Sequence, residues 1–220
     1  MSAYIPFKSE IVFLGTGSSS GMPLPRHLMS SEETDKNRVS ILGGEGDPRK
    51  NKNHRCNPSL LLKVRREGAG DEKTVLFDCG KTFRESIVRW AREKKIRSID
   101  SVCLTHGHAD ACFGLDDLRS CQEHGGPSIP IYASEECQQV VKRVFTYLFP
   151  EPETEEVKAK RIKREESEGV PEKRHVASLE LNTLTHYQPF WPLGANYLEV
   201  TPLPVMHGED LECTAFMMGG

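Results

Sequence analysis

Apolar residues in this sequence come in short runs, each cut off by glycine or by a polar turn, and this spacing restricts the chain to a layered fold containing a sheet. Glu10-Ile11-Val12-Phe13-Leu14 stops at Gly15-Thr16-Gly17-Ser18-Ser19-Ser20-Gly21, the pattern of a strand entering a glycine- and serine-rich loop. Ser59-Leu60-Leu61-Leu62-Lys63-Val64 and Thr74-Val75-Leu76-Phe77-Asp78 read as two further strands, joined by a polar hairpin that contains Gly68 and Gly70. Ile99 to Leu104, Pro130 to Ala133, Leu179 to Asn182 and Leu198 to Leu203 repeat the pattern, and Cys213 to Gly220 closes the chain.

Between these runs the period changes. Phe83, Ile87, Val88, Trp90 and Ala91 recur at helical spacing, which predicts a helix from Thr82 to about Lys95. Phe113, Leu115, Leu118 and Cys121 suggest a short helix, and Glu135 to Leu148 a longer one. Strands alternating with a few helices imply an α/β or α+β layered domain. The 220 residues suit a single domain spanning 1–220, with no repeat and no linker. Residues 26–57 form a long polar excursion, expected to be partly mobile. Residues 151–173 are densely and evenly charged, which predicts a solvated insertion.

A net charge of −3 does not advertise a nucleic-acid or membrane surface. No run approaches the roughly 18 apolar residues needed to span a bilayer. Met1 to Phe7 lacks the basic start and apolar core of a secretory signal. Seven cysteines with no CxxC pair read as free thiols in a reducing compartment. An intracellular, cytoplasmic location is therefore expected.

The block that carries chemistry is Leu104-Thr105-His106-Gly107-His108-Ala109-Asp110-Ala111. A mostly apolar strand delivers two imidazoles at i and i+2, with a carboxylate two residues on. Imidazole and carboxylate suit Zn²⁺, Fe or Mn. His207, in Pro202-Leu203-Pro204-Val205-Met206-His207-Gly208, offers a third imidazole after another short strand. Three histidines would leave one tetrahedral position for water. Zinc would lower the pKa of that water toward ~7 and make a hydroxide nucleophile near neutral pH. Gly15-Thr16-Gly17 is neither a Rossmann fingerprint nor a P-loop, since it lacks the third glycine and the closing Lys-Ser/Thr. Ser18, Ser19 and Ser20 instead offer hydroxyls and N–H groups in a turn suited to a phosphate.

His106-Gly107-His108-Ala109-Asp110 resembles the HxHxD core of the metallo-β-lactamase superfamily. Asp78, in Leu76-Phe77-Asp78-Cys79-Gly80, matches that family's first motif, whose aspartate braces the histidine loop through hydrogen bonds. Gly15 to Pro23, Gly114-Leu115-Asp116-Asp117-Leu118-Arg119 and Pro202 to Gly208 are similar to the branch of phosphoribosyl cyclic-phosphate phosphodiesterases. The tRNA 3′-processing endonucleases are more distant relatives. The resemblance runs from Ile11 to Gly219.

That resemblance implies a four-layer αββα sandwich and a metal-dependent phosphodiesterase acting on a small, cyclic phosphodiester. It implies His106, His108, Asp110 and His207 as ligands to Zn²⁺ or Mn²⁺, one or two ions. Asp110 would engage a second ion or orient the water, and Asp117, with Arg119, would orient substrate. Two other readings stay open: an RNA endonuclease of the tRNA-processing type, and an inactive pseudo-hydrolase working through a partner. Ala111 stands where the family usually has a histidine for the second metal, which weakens a symmetric two-metal site. The family continues past the third histidine to a bridging aspartate and a final histidine. Such domains need about 250–300 residues to complete both sheets, so the C-terminal part of the fold is expected to be incomplete here, with a second copy as one remedy for the uncovered sheet.

Of the remaining candidates, His54 and Cys56 lie where some relatives hold a structural zinc with cysteines, and a single cysteine predicts packing or surface roles. Cys79 and Cys112 flank the histidine block as small packing residues. His27 and His124 are expected at the surface, His175 and His186 in loops and not as ligands, and Asp210 is a minor candidate for positioning substrate.

Overall fold

A computed structural model describes residues 7–66, 71–150, 159–160, 162, 176–195 and 197–219. Six strands form one mixed sheet in chain order: β1 (Phe7–Gly15), β2 (Ser59–Arg66), β3 (Glu72–Phe77), β4 (Ser101–Cys103), β5 (Ile129–Ala133) and β6 (Leu179–Thr183). β1, β2 and β3 pair antiparallel, with Ile11 opposite Leu62 and Leu62 opposite Val75. From β3 to β6 the pairing is parallel. Parallel neighbours need crossovers, and the helices α3 (Phe83–Trp90) and α5 (Glu135–Val144) sit in two of them. Ser134 caps α5 by accepting from the N–H of Cys137 at 3.3 Å.

Alternation along each strand splits the apolar residues between two faces. Val12, Leu14, Leu61, Leu76, Val102 and Ile131 pack with Phe83, Leu115, Leu118 and Val141 on the helical side. Leu62, Val64, Val75, Phe77 and Cys103 face the other way, onto Leu198 and Val200. A hairpin of β7 (Val200–His207) and β8 (Leu211–Met218) covers part of that second face. Ile11 and Phe13, on the same side of β1, stay 52% and 64% exposed. The described layers are therefore helices, sheet and hairpin.

Several boundaries moved. The helix predicted to Lys95 ends at Trp90 and continues as turns, with Lys95 at φ 52°. The segment after the histidine block is a short α4 (Ala109–Cys112) followed by a 3₁₀ turn over Leu115–Cys121. The excursion has structure of its own. It carries α1 (Pro25–Leu28) and α2 (Arg38–Gly44), and it buries Asn37, Ser40 and Asn57. Asn37 donates to the Glu32 carbonyl at 2.7 Å and accepts from the Thr34 N–H at 2.7 Å, so its polar atoms are used inside. Of the charged insertion only residues 159, 160 and 162 are described, so its solvated character and His175 lie outside the described residues.

β7 contains Pro202 and Pro204, unusual for a strand. Pro202 stands opposite Phe216 and Pro204 opposite Thr214 in the β7–β8 register, and the Pro202 carbonyl accepts from the N–H of Tyr187 at 2.8 Å on the side away from β8.

Candidate metal centre

β4 runs between β3 and β5, and the chain leaves its C-terminal end through Leu104, fully buried, into Thr105 and His106. His108 then starts α4 from an extended conformation. The loop 78–81 is laced to this turn. Cys79 N–H donates to Ala111 O at 2.7 Å, Lys81 N–H to Ala109 O at 3.1 Å, and Gly114 N–H to Cys79 O at 2.8 Å. Gly80 lies against the backbone of Asp110, with no room for a Cβ. The Cys112 thiol caps the carbonyls of Gly107 and His108 at 3.4 and 3.3 Å.

The result is a cluster of three imidazoles. A ring nitrogen from each of His106, His108 and His207 lies within 4.8 Å of the others. Ring centroids are 4.7 Å apart for His106 and His108, 4.9 Å for His106 and His207, and 5.7 Å for His108 and His207. β7 carries His207 across a hundred residues of sequence, and Thr214 of β8 fixes the hairpin by donating its N–H to Thr105 O at 2.8 Å.

Asp78 braces the loop. Its left-handed backbone, φ 60°, is one that aspartate tolerates better than most residues. Its carboxylate accepts from Thr105 N–H at 2.8 Å and from Thr105 Oγ1 at 2.9 and 3.1 Å. Thr105 Oγ1 is also 2.7 Å from His106 Nδ1. A hydroxyl has one proton. When that proton goes to an ionised Asp78, Nδ1–H must be the donor to Thr105, and Nε2 keeps its lone pair. Nε2 of His106 is buried and has no hydrogen-bond partner.

That orphaned lone pair, with two more imidazoles converging on it, fits a divalent cation of the zinc class. Burial, then the neighbouring charge of His108, holds His106 below the usual imidazole range, so it stays neutral and ready to ligate. Without a cation, burial pushes Asp78 up to about 7, against the pull of the Thr105 bonds.

The other expected residues divide. Asp110 sits in the first turn of α4, outside the group of three, and its charge raises both His106 and Asp78. Asp117 lies in the 3₁₀ turn, where Arg119 pairs with Asp116 at 3.5 Å. Ser18 and Ser20 line an open cleft of 380 Å³ with Leu24, Pro25 and Arg26. A second cleft of 410 Å³ reaches Asp78 and is lined by Thr16, Gly17 and Ser59. The Ser18 and Ser19 carbonyls accept from Asn57 Nδ2 at 3.1 and 2.8 Å, which sets the loop.

His186 lies in a turn, as expected, and is partnered there: it is 3.5 Å from Glu212 Oε1 and 3.5 Å from Thr214 Oγ1. Nothing in its local sequence signals this, because only the β7–β8 pairing brings it there.

A sheet with helices on one side and a strand pair on the other thus brings three histidines together from the ends of two strands. The chain belongs to the metallo-β-lactamase superfamily: the model of the beta-lactamase superfamily domain matches residues 73–218. It is similar to an octanoyltransferase of Porphyromonas gingivalis, 27% identical over 198 residues, which are 90% of this chain and 30% of that protein. Among solved structures it is similar to a diphosphatase from the PhnP family, with TM-score 0.61 and 27% identity over 96% of this chain and 63% of that one. The metallo-β-lactamase fold protein YhfI from Bacillus subtilis matches in fold at TM-score 0.51 and 16% identity, over 98% of this chain and 58% of that one. The chain thus spans less than two thirds of these relatives.

Proposed function

We propose that this chain carries the metal-binding half of a metal-dependent hydrolase acting on a small phosphodiester. The observation that carries this reading is the three-imidazole cluster, with the His106 Nε2 lone pair buried and set by Thr105 and Asp78. His106, His108 and His207 would hold the ion. When bound, zinc or manganese supplies Lewis-acid activation of water and of a phosphoryl oxygen. The chain's own residues do the rest. Asp78, through Thr105, holds the His106 ring in the ligating tautomer and orientation. Asp110 would take a proton from water or accept a second cation. Ser18, Ser20 and Arg26, around one cleft, offer hydroxyls and a positive charge for a phosphate. Similarity to a diphosphatase supports phosphoryl chemistry over other hydrolysis.

The test is metal content and hydrolysis together. The full chain, loaded with Zn²⁺ or Mn²⁺, should cleave a chromogenic or cyclic phosphodiester faster than a precursor RNA. His106→Ala should lose most of the bound metal and at least ~100-fold of the rate. Metal content unchanged in that variant would remove the assignment. Cleavage of the RNA alone would favour the nuclease reading, and no turnover with any divalent metal would favour a pseudo-hydrolase.

A further inference from the structure

We propose that the end of the main sheet opposite the histidine cluster carries a binding site for a compact polyphosphate, a pyrophosphate group either free or at the end of a nucleotide. On the helical face of the sheet, the cross-strand row Val12, Leu61 and Leu76 is apolar. Two residues further from the histidines the row is Glu10, Lys63 and Thr74, and the next is Lys8, Arg65 and Glu72. The turns after α3 reach these charged rows and leave a cleft of 310 Å³. Its walls bring together Lys63, Arg65, Lys95 and Arg97, with Glu72 as the one carboxylate.

Lys63 forms the floor. It is 5% exposed, and its Nζ meets Glu10 Oε2 at 2.9 Å, Lys94 O at 3.2 Å and Glu72 Oε1 at 3.4 Å. A buried ammonium is costly unless it is paired, and this pairing has a consequence. One cation draws both carboxylates of its surroundings inward, away from the rim. Arg65 keeps only a long contact with Glu72, at 3.4 Å, and among the described residues no carboxylate pairs with Lys95 or Arg97, both exposed. Guanidinium forks suit phosphate oxygens in pairs, and the Lys95 ammonium adds a point charge.

The backbone at Lys95 is the second observation. Ile96 N–H donates to Ala91 O at 2.8 Å and Lys95 N–H to Arg92 O at 3.4 Å, the paired bonds that close a helix, with Lys95 left-handed at φ 52°. Glycine fits that position without strain, whereas a β-carbon does not. A lysine kept there at a cost points to a use for its charge. The cations also converge and do not form a stripe. Glu93, paired with Lys94 at 2.9 Å, and Asp100, paired with Lys73 at 3.1 Å, interrupt the positive surface that a nucleic-acid backbone would need.

Calorimetric titration of the full chain under chelator tests this, because no ion at the histidines can then hold the ligand. Pyrophosphate should bind saturably at one site, and adenosine diphosphate, titrated beside it, shows whether the group is also taken as part of a nucleotide. Arg65→Gln and Arg97→Gln should each weaken binding by about 10-fold or more, and Arg26→Gln, in the cleft beside Ser18, should leave it unchanged. Lys95→Gly separates binding from structure: affinity should fall while Tm rises by about 2–4 °C. The proposal fails if pyrophosphate does not saturate, if Arg97→Gln binds as wild type, or if only Arg26→Gln loses binding. It also fails if Lys95→Gly gains stability with unaltered affinity, or if a short oligouridine strand binds more tightly than pyrophosphate. Neither metal nor turnover enters the measurement, so none of these results bears on the hydrolase reading.

Discussion

One hydroxyl proton governs how His106 presents itself. Thr105 Oγ1 stands between the Asp78 carboxylate and His106 Nδ1, and only one direction of donation satisfies both bonds when Asp78 is ionised. Thr105→Val keeps the shape and deletes the bridge. Zinc titration should show affinity reduced about 10- to 100-fold with the fold intact, and an unchanged affinity would mean that the relay is idle. Asp78 itself predicts a pH effect on the metal-free chain. Its folded-state value, about 7, lies above the ordinary 3.8, so the folded state favours the neutral acid. That contribution to stability is fully present below about pH 4 and is lost as pH rises through about 7. Asp78→Asn does not titrate there, so its stability relative to wild type should improve as pH rises from about 4 to about 7 in thermal melts under chelator. A gap that stays constant with pH would refute the buried-acid account. The sequence made Asp78, His106, His108 and His207 legible because their types and strand-end positions carry the signal. It could not reveal Thr105 as a bridge, since a threonine's hydrogen bonds depend on the neighbour it meets in space.

At the scale of elements, the histidine loop is held by the turn that follows β3. Gly80 touches the Asp110 backbone, and Cys79, Lys81 and Gly114 stitch that turn to α4. A methyl at position 80 has nowhere to go. Gly80→Ala should cost about 1–3 kcal/mol in stability and loosen metal binding with it; a full-strength melting temperature would show that the two backbones separate easily. The strands were readable because short apolar runs flanked by glycine mark them directly. β7 proved longer than expected and β8 starts two residues earlier, since prolines and a polar end mask a strand whose partner supplies the register. The excursion's two short helices lacked any apolar period and depend instead on buried polar residues such as Asn37 and Ser40, which pattern reading treats as loop. The partners of His186, Glu212 and Thr214, were hidden for the same reason as the length of β7: a pairing distant in sequence brings them to it.

At the scale of the whole molecule, the two faces of the main sheet are unequal. The helical face is closed, while Ile11 and Phe13 on the other face remain open to water beyond the reach of the hairpin. Phe13→Ser, at a site 64% exposed, should leave stability within about ±0.5 kcal/mol and reduce self-association in light scattering. Equal aggregation in both forms would place the sticky surface elsewhere. The layered class was legible early, because run length and period report it. The share of each face that is covered was not, since it depends on which elements meet across the sheet.

The prolines of β7 give the hairpin a handedness of assembly. Positions 202 and 204 present carbonyls but no N–H along their outer margin, so no strand can zip fully onto that side. What meets that margin is instead the short 187–190 segment, through Tyr187 N–H to Pro202 O and the Phe190–Val200 bridge.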